Sequence, residues 1–370
     1  MLTLDLNPQK SPQDTKVVVA MSGGVDSSTA AALLYKSGYN VIGITLQLFD
    51  YGLAVGKRGT CCAGQDIYDA KIVSEKFGFP HFVLNYESKF RESVIDDFVD
   101  SYVRGETPLP CVRCNQSVKF KDLMKVAQDL DADALVTGHY ARRIDGLHGP
   151  ELHKGIDANK DQSYFLFATT REQLQYIHFP LGAMTKEETR LHAADMGLSI
   201  ADKPDSQDIC FVPNGKYADV LHKLRPDIGR SAGDLIHVDG FKLGEHDGII
   251  NYTIGQRRGL GVAFAHPLYV IKIDPNSNTV FVGEERHLMK QAFKIKDINW
   301  LAPDIDLLAD CEFTIKIRSG HGGSIASISS IDDDMLSVVV STPEKSITPG
   351  QACVIYRDTR LIGGGWITRD

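Results

Sequence analysis

The sequence predicts a doubly wound α/β domain with a parallel sheet, followed by a small mixed linker domain and a C-terminal β-barrel. Three observations carry this. Apolar runs alternate with Ala- and Leu-rich helical stretches through the first half. A glycine turn joins the first run to the first such stretch. Beyond about residue 210 the texture changes to short strands broken by Gly and Asn/Asp turns. Lys16 to Met21 (KVVVAM) is apolar and ends at Ser22-Gly23-Gly24, and Ser27 to Lys36 has the composition of a helix stopped at Gly38. Asn40 to Phe49 reads as a second buried strand. Strand, turn, helix, strand is the unit that builds a parallel sheet. The pattern continues with a helix over 66–77, a strand over 81–85, helices over 88–102 and 120–130, and a strand over 134–138. From Gly233 the runs LIHVDG, LYVIKIDPNSNTVFVG, CEFTIKIRSG, LSVVVS and CVIYRD have the spacing of small β domains. The expected division is a loose N-terminal tail over 1–15, the α/β domain over 16–214, a central β-rich domain over 215–284 and the barrel over 285–370.

The 370 residues are 43% hydrophobic and 24% charged, which excludes wholesale disorder and a coiled-coil rod. Apolar runs such as Val17 to Ala20 are far shorter than the roughly 18 residues of a membrane span, so no membrane partner is expected. A net charge of -8, taken alone, argues against a nucleic-acid partner. A local patch can still hold phosphates. Arg104, Arg113, Lys119, Lys121 and Lys125, then Arg142, Arg143, Lys154 and Lys160, supply one. The seven cysteines are odd in number and clustered, which suits a reducing compartment, and the first 15 residues lack the apolar core of a signal peptide. The expectation is a cytoplasmic monomer.

The segment Ala20, Met21, Ser22, Gly23, Gly24, Val25, Asp26, Ser27, Ser28 follows a strand and opens a helix. Backbone N–H groups at a helix start can surround an anion. The two glycines allow close backbone approach and the serines offer hydroxyls. Asp26 either holds the loop's shape or helps hold Mg²⁺ on a nucleotide. Walker and dinucleotide fingerprints are absent. Two polar stretches carry cysteines: Thr107 to Asn115, read as a proline-rich loop with the CxxC of Cys111 and Cys114, and Asp205 to Phe211 with Cys210. Thiolates are nucleophiles whose pKa falls beside a cation or at a helix start. Arg113 and a helix expected to begin near Lys119 would activate Cys114. Cys61-Cys62 read as packing, and Cys311 and Cys353 as core-facing strand residues.

SGGVDSS resembles the pyrophosphatase loop of N-type ATP pyrophosphatases, which adenylate a substrate oxygen. Together with TPLPCVRCNQSVKF, TGHYARR, KDQSYFL, DSQDICF, NYTIGQRRGLG, ITPGQACVIY and GGGW, the chain resembles the bacterial-type tRNA-specific 2-thiouridylases over nearly its whole length. The resemblance implies ATP-dependent sulfur insertion at C2 of uridine 34 in tRNAs for Lys, Glu and Gln. It implies adenylation of uracil O2, a persulfide on Cys210, Cys114 as nucleophile, and a Cys114–Cys210 disulfide left behind. It implies nucleotide contacts at Leu46 and Gly138 besides the loop. RNA contacts are implied at Leu109, Pro110, Cys111, His139, Lys160, Asp161, Gln162, Arg318 and Gln351. ATP and Mg²⁺ are the expected cofactors, with an upstream persulfide donor or relay protein as partner.

Three departures stand out. Leu109 replaces the Asn that commonly precedes Pro110, Ser319 replaces a Tyr, and Cys111 stands where some members have Asp. Three thiols at Cys111, Cys114 and Cys210 open the alternative of an iron–sulfur cluster that delivers sulfide. Further alternatives are an adenylating enzyme acting on a small metabolite, and a non-catalytic RNA-binding or cluster-carrier protein.

Overall fold

The computed structural model describes residues 10–49, 62–205, 209–212, 217–225, 231–302, 312–332 and 334–369. Cys61, Cys311, the 206–208 part of the second cysteine stretch and the boundary near 215 lie outside them. The side chain of Cys62 is likewise outside.

Strands β1 (Lys16–Ala20), β2 (Asn40–Gln47), β3 (His81–Asn85) and β4 (Ala134–Thr137) are parallel, and a short later strand completes a five-stranded sheet. Val17, Val18 and Val19 are fully buried because β1 is central and helices cover both its faces. That is why its sequence is a continuous apolar run rather than an alternating one. Between β4 and the short strand β7 (Ile177–His178), the chain makes a hairpin of β5 (Ala141–Gly146) and β6 (Gly149–Lys154). The sheet order β3-β2-β1-β4-β7 places β2 and β4 on opposite sides of β1. The winding therefore reverses there, and a crevice opens at the carboxyl ends of β1 and β4.

Helix α1 (Val25–Lys36) buries Ala31 and Ala32 against the sheet and Ala30 against Tyr140 and Leu181. The helices that follow are α2 (Cys62–Phe77), α3 (87–103), α4 (110–129), α5 (Arg171–Tyr176), α6 (Lys186–Asp195) and α7 (Tyr217–Leu224). Helix α4 corrects the sequence reading. It starts at Pro110 rather than near Lys119, so the CxxC lies inside its first turns and not in a proline-rich loop. Proline is tolerated at the first helical position because that N–H has no intrahelical partner. The middle of α4, Cys114–Asp122, winds as a π-helix, a local widening that often accompanies functional sites. The N-terminal stretch read as loose is fixed over its last residues. Ser11 caps a turn at Pro12–Asp14, and Lys10 pairs with Asp133 at 2.5 Å.

The central unit follows α7 with β8 (Gly233–His237), β9 (Lys242–His246), β10 (Tyr269–Asp274) and β11 (Thr279–Gly283), in the order β10-β11-β8-β9. The pair β11–β8 is parallel and the others are antiparallel, so the unit is mixed as expected. The last strands are β12 (Met289–Trp300), β13 (Phe313–Lys316), β14 (Ser324–Asp332), β15 (Met335–Lys345), β16 (Ala352–Arg357) and β17 (Arg360–Ile367). Pairing of β12 with β17 closes these six into an antiparallel barrel. Gly363 to Gly365 lie at the closure. A Cβ at Gly363 would stand 2.5 Å from the Asn299 carbonyl oxygen, and one at Gly364 2.7 Å from that of Cys353.

The barrel is not an independent appendage. The β5–β6 hairpin reaches out of the α/β domain and pairs with β17 at His153 and Arg360. One hydrophobic core joins Val18 and Phe120 to Val354, Tyr356 and Trp366 of the barrel. The Arg113 guanidinium lies 4.4 Å over the Trp366 ring and also bonds Asp97. Replacing Arg113 with alanine is expected to lower stability by about 0.5–2 kcal/mol, read by denaturant unfolding. An unchanged unfolding midpoint would show that this stack contributes nothing.

Candidate active site

The loop after β1 sits at the crevice. The Ser22 N–H donates to Ser27 Oγ at 3.0 Å, and the two hydroxyls are 3.3 Å apart. Gly23 has φ +73°, and a Cβ there would lie 2.0 Å from the Asp66 carbonyl oxygen of α2. Gly24 caps α1 without a side-chain hydrogen bond, so the first amides of α1 are left for another acceptor. Met21 and Val25 are buried beneath the loop, Ala20 ends β1, and the Ser28 hydroxyl is buried with no partner. Gly138, just past β4, packs directly on this turn: a Cβ would be 2.7 Å from Ser27 N. Leu46 is half-buried on the neighbouring strand β2. The structure thus brings the loop and Gly138 together, with Leu46 one strand away.

Asp26 resolves one of the two readings given to it. Its carboxylate accepts from the Lys186 ammonium at 2.7 and 2.9 Å and from the Tyr140 hydroxyl at 2.8 Å. Burial, then the Asp26 charge, pushes the Tyr140 pKa up and keeps its hydroxyl a donor. Asp26 therefore holds the loop's shape; its oxygens are committed to protein donors and do not fit a metal-ligand role in this arrangement.

Sequence reasoning missed three charged residues that lock this region: Lys186, Lys203 and Asp205. Lys203 Nζ donates to the Gly23 carbonyl at 3.0 Å, to Asp66 at 2.7 Å and to Asp69 at 2.5 Å. Asp205 receives Lys160 at 2.7 Å, Lys186 at 2.8 Å and Arg190 at 2.9 Å. Burial works against ionisation of Asp205, but the hydrogen bonds from Lys160 and Lys186 overcome it and hold its pKa at about 2. A depressed carboxylate stabilises the fold above its unfolded value of about 3.9, and that contribution is lost as pH falls through about 2. The stability gap between the native chain and Asp205→Asn is thus expected to be flat above about pH 5, on the order of 2 kcal/mol, and to close toward pH 2. A gap independent of pH would contradict these bridges. The only sequence signal was the DSQDICF stretch that Asp205 opens; no motif marks Lys186.

The thiols lie on the other wall. Cys114 is buried in a core built from α3, α4, residues 209–212 and the central domain. Cys210 is placed by its neighbour: Phe211 inserts fully among Phe90 and Phe98, with edge-on ring contacts at 5.7 and 5.1 Å. Cys111 and Cys210 reach the surface, and none of the three is in a disulfide. They are mutually close enough to perturb one another. Crowding by surrounding atoms and then the two other sulfurs push Cys210 up to about 12 although part of the residue meets solvent, while Lys119 opposes the rise. Burial also raises Cys114, against Lys119. The expected activation of Cys114 by Arg113 is thus corrected. Arg113 stacks on Trp366, Lys119 is the cation that acts on the thiols, and burial outweighs it. Cys210 in the free protein is expected to react with iodoacetamide slowly at pH 8, its rate still rising above pH 10. A plateau near pH 8 would contradict a raised pKa.

Among the described residues no three His, Cys, Asp or Glu side chains are placed to hold a metal ion, so the three thiols do not fit a cluster as arranged.

Leu109 precedes the first turn of α4, and Pro110 opens it. Gln351 of the barrel donates to the Thr107 carbonyl at 3.0 Å and so fixes the approach to that turn. Half-buried His139 bonds Thr137 Oγ1 at 2.8 Å; burial and then Lys119 lower its pKa to about 3. Asp161 accepts from the Gly155 and Ser163 amides, and Gln162 accepts from the Tyr140 amide at 2.9 Å. Lys160 is half-exposed on Asp205, and exposed Arg318 donates to the Lys345 carbonyl at 3.3 Å. Of the basic patch, Lys121 and Lys125 project from α4 into solvent. Arg142, Arg143 and Lys154 are engaged with Lys154 O, Leu174 O and the Tyr356 ring.

A parallel sheet with a glycine loop at its switch point defines a nucleotide-binding α/β protein, and residues 15–214 match the tRNA methyl transferase HUP domain family. Residues 222–284 match the tRNA methyl transferase PRC-barrel domain, and 290–367 the aminomethyltransferase beta-barrel domain. The chain belongs to the tRNA-specific 2-thiouridylase family. It is 62% identical over 358 residues to the tRNA-specific 2-thiouridylase MnmA of Rickettsia bellii (strain OSU 85-389), 97% of each chain being covered. It is 63% identical over 354 residues to that of Rickettsia canadensis (strain McKiel), with 96% of each covered. Among solved structures, the U34-tRNA thiolase NcsA of Methanococcus maripaludis, with its [4Fe-4S] cluster, aligns at 16% identity. It covers 60% of this chain and 70% of that one, with a TM-score of 0.38. No helix among the described residues is long and apolar enough to cross a membrane.

Proposed function

We propose that this chain is an ATP-dependent tRNA-uridine 2-sulfurtransferase acting on uridine 34 of the tRNAs for Lys, Glu and Gln in the cytoplasm. The observation that carries the reading is the meeting, in one α/β domain, of an anion-binding glycine loop with three mutually perturbing thiols. Adenylation explains the loop, and sulfur transfer explains the paired thiols; neither explains the other.

In the proposed sequence, uracil O2 attacks the α-phosphorus of ATP. An O2–P bond forms, the bond to the β-phosphate breaks, and pyrophosphate leaves with its Mg²⁺. The loop amides and hydroxyls of Ser22 to Ser27 hold the phosphates. The outer sulfur of a Cys210 persulfide then adds to C2, and AMP departs with O2. The Cys114 thiolate attacks Cys210 Sγ. This breaks its bond to the sulfur now on C2, leaves 2-thiouridine and forms a Cys114–Cys210 disulfide. A thiol reductant supplies two electrons to reopen that disulfide, and a persulfide donor reloads Cys210. The thiols are protonated at rest and must lose their protons on substrate binding, with Lys119 the nearest stabilising cation. The donor geometry favours the persulfide over a cluster.

The test is pyrophosphate release from ATP and Mg²⁺ with and without unmodified tRNA-Glu. Release that depends on this tRNA supports the reading. Release driven by a small metabolite, or by nothing, overturns the acceptor.

Charge reversal at Lys121 and Lys125 is expected to weaken tRNA binding and flatten its salt dependence by about one unit of slope for each RNA phosphate that is no longer neutralised. An unchanged slope in a filter-binding titration removes α4 from the RNA face.

A further inference from the structure

Of the three thiols, Cys111 alone has no task in the proposed sulfur transfer, and the fold sets it beside Cys114. It stands at the second position of α4, between Pro110 and Val112, which are both buried. The Cys114 N–H donates to the Pro110 and Cys111 carbonyls, so the two cysteines lie one turn apart on the same side of the helix. Regular helical spacing separates their Cα atoms by about 5 Å, inside the roughly 4.4–6.8 Å that a disulfide spans. Cys111 is exposed and Cys114 is buried. Gln351 of the barrel donates to the Thr107 carbonyl and so holds the chain that enters this turn. We propose that Cys111 is a further catalytic residue, the resolving thiol that opens the Cys114–Cys210 disulfide after each turnover. The proposal rests on the sulfur-transfer reading given above.

The physical basis is which sulfur each reactant must reach. Cys114 is packed in the core it shares with Phe211, the neighbour of Cys210, so that half of the disulfide is closed to an external thiol. A reductant attacking at Cys210 instead would occupy the sulfur that must next accept the persulfide. Cys111 removes this conflict. Its thiolate attacks Cys114 Sγ. A Cys111–Cys114 bond forms, the Cys114–Cys210 bond breaks, and Cys210 leaves as a thiolate that takes up the proton Cys111 has lost. The exchange is redox-neutral and leaves Cys210 ready for the persulfide donor. An external dithiol then attacks Sγ of the exposed Cys111, supplies two electrons and departs as a disulfide, with both thiols of the CxxC restored. Rates of such exchange depend on which sulfur is attacked and on access to it. A CxxC that opens a helix, exposed at its first cysteine, is suited to both steps. The aspartate that some family members carry at this position has no sulfur to exchange.

The experiment is a single turnover without reductant. Full-length protein is loaded with sulfur from inorganic polysulfide, freed of the excess, and given ATP, Mg²⁺ and tRNA-Glu lacking the thiol group. Acid stops the exchange, N-ethylmaleimide in denaturant marks the remaining thiols, and peptide mapping by mass spectrometry locates the disulfide. The 2-thiouridine formed is counted in the same sample. The native chain is expected to carry a Cys111–Cys114 disulfide and an alkylated Cys210. Cys111→Ser should make as much 2-thiouridine in this first turnover but keep the Cys114–Cys210 disulfide, with alkylation of Cys210 lost. Cys111→Asp should behave in the same way, and decides the matter should the serine variant not fold. A purely structural role would lower stability without changing which cysteines are joined. A Cys114–Cys210 disulfide in the native chain after thiolation overturns the resolving role and leaves sulfur transfer standing. Loss of the first turnover in both variants also overturns it, since Cys111 would then act before sulfur is transferred. No 2-thiouridine from the native chain overturns the sulfur-transfer reading itself, and the resolving role with it.

Discussion

Cys210→Ser is expected to make no 2-thiouridine while still releasing pyrophosphate from ATP in the presence of tRNA. The hydroxyl cannot carry a persulfide, so sulfur is never loaded, whereas the glycine loop and its amides are untouched. A covalent nucleophile has no partial substitute, and its loss typically costs several orders of magnitude in rate. Cys114→Ser should behave differently. Sulfur still reaches C2, but nothing cleaves the Cys210–sulfur bond. The protein is therefore expected to accumulate as a disulfide-linked adduct with tRNA that dithiothreitol releases as 2-thiouridine. Both thiols are already packed into one region, Cys114 in the core and Cys210 beside the inserted Phe211. The replacement in each case removes a sulfur without opening a large cavity. Equal loss in Cys111→Ser would favour a three-thiolate ligand set, and thus the cluster route, over the persulfide.

Gly23→Ala is expected to weaken nucleotide binding by at least about 10-fold. Two independent costs fall on one position. The backbone there has φ +73°, which a residue with a Cβ adopts at a cost of roughly 1 kcal/mol. The added Cβ would also stand 2.0 Å from the Asp66 carbonyl oxygen, and α2 would have to move. That movement pulls Asp66 away from Lys203, whose ammonium also holds the Gly23 carbonyl. The loop and its clamp are thus disturbed together. Calorimetry with an ATP analogue should show affinity reduced by at least about 10-fold, and unfolding stability lowered by about 1–3 kcal/mol. Normal affinity in this variant would mean that the loop does not need its left-handed turn to bind phosphates.

The α/β domain was legible because its order is written in local pattern. β1 is apolar on both faces, α1 is rich in alanine, and the glycines fall between them. The glycine loop and the two cysteines proposed to carry sulfur were visible as residue types in an unusual context. What was not legible lies in tertiary pairing. Pro110 reads locally as a loop, yet at the first helical position it opens α4. Arg113 sits beside Cys114 in sequence but points to Trp366, more than 250 positions away in the chain. The β5–β6 hairpin joins the barrel through one pairing at Arg360, which no local periodicity records. The locking set of Lys186, Lys203 and Asp205 was missed for the same reason, since its partners Asp26, Asp66 and Gly23 are over a hundred residues earlier.

The most direct test of the sulfur-transfer chemistry uses anaerobically purified protein, tRNA-Glu lacking the thiol group, ATP, Mg²⁺ and a persulfide donor, with no iron. The tRNA is then digested and its nucleosides resolved by mass spectrometry. The expected outcome is 2-thiouridine from the native chain and none from Cys210→Ser. The contradicting outcome is ATP cleaved to AMP with no thiolated nucleoside from the native chain, or product formed equally well without Cys210.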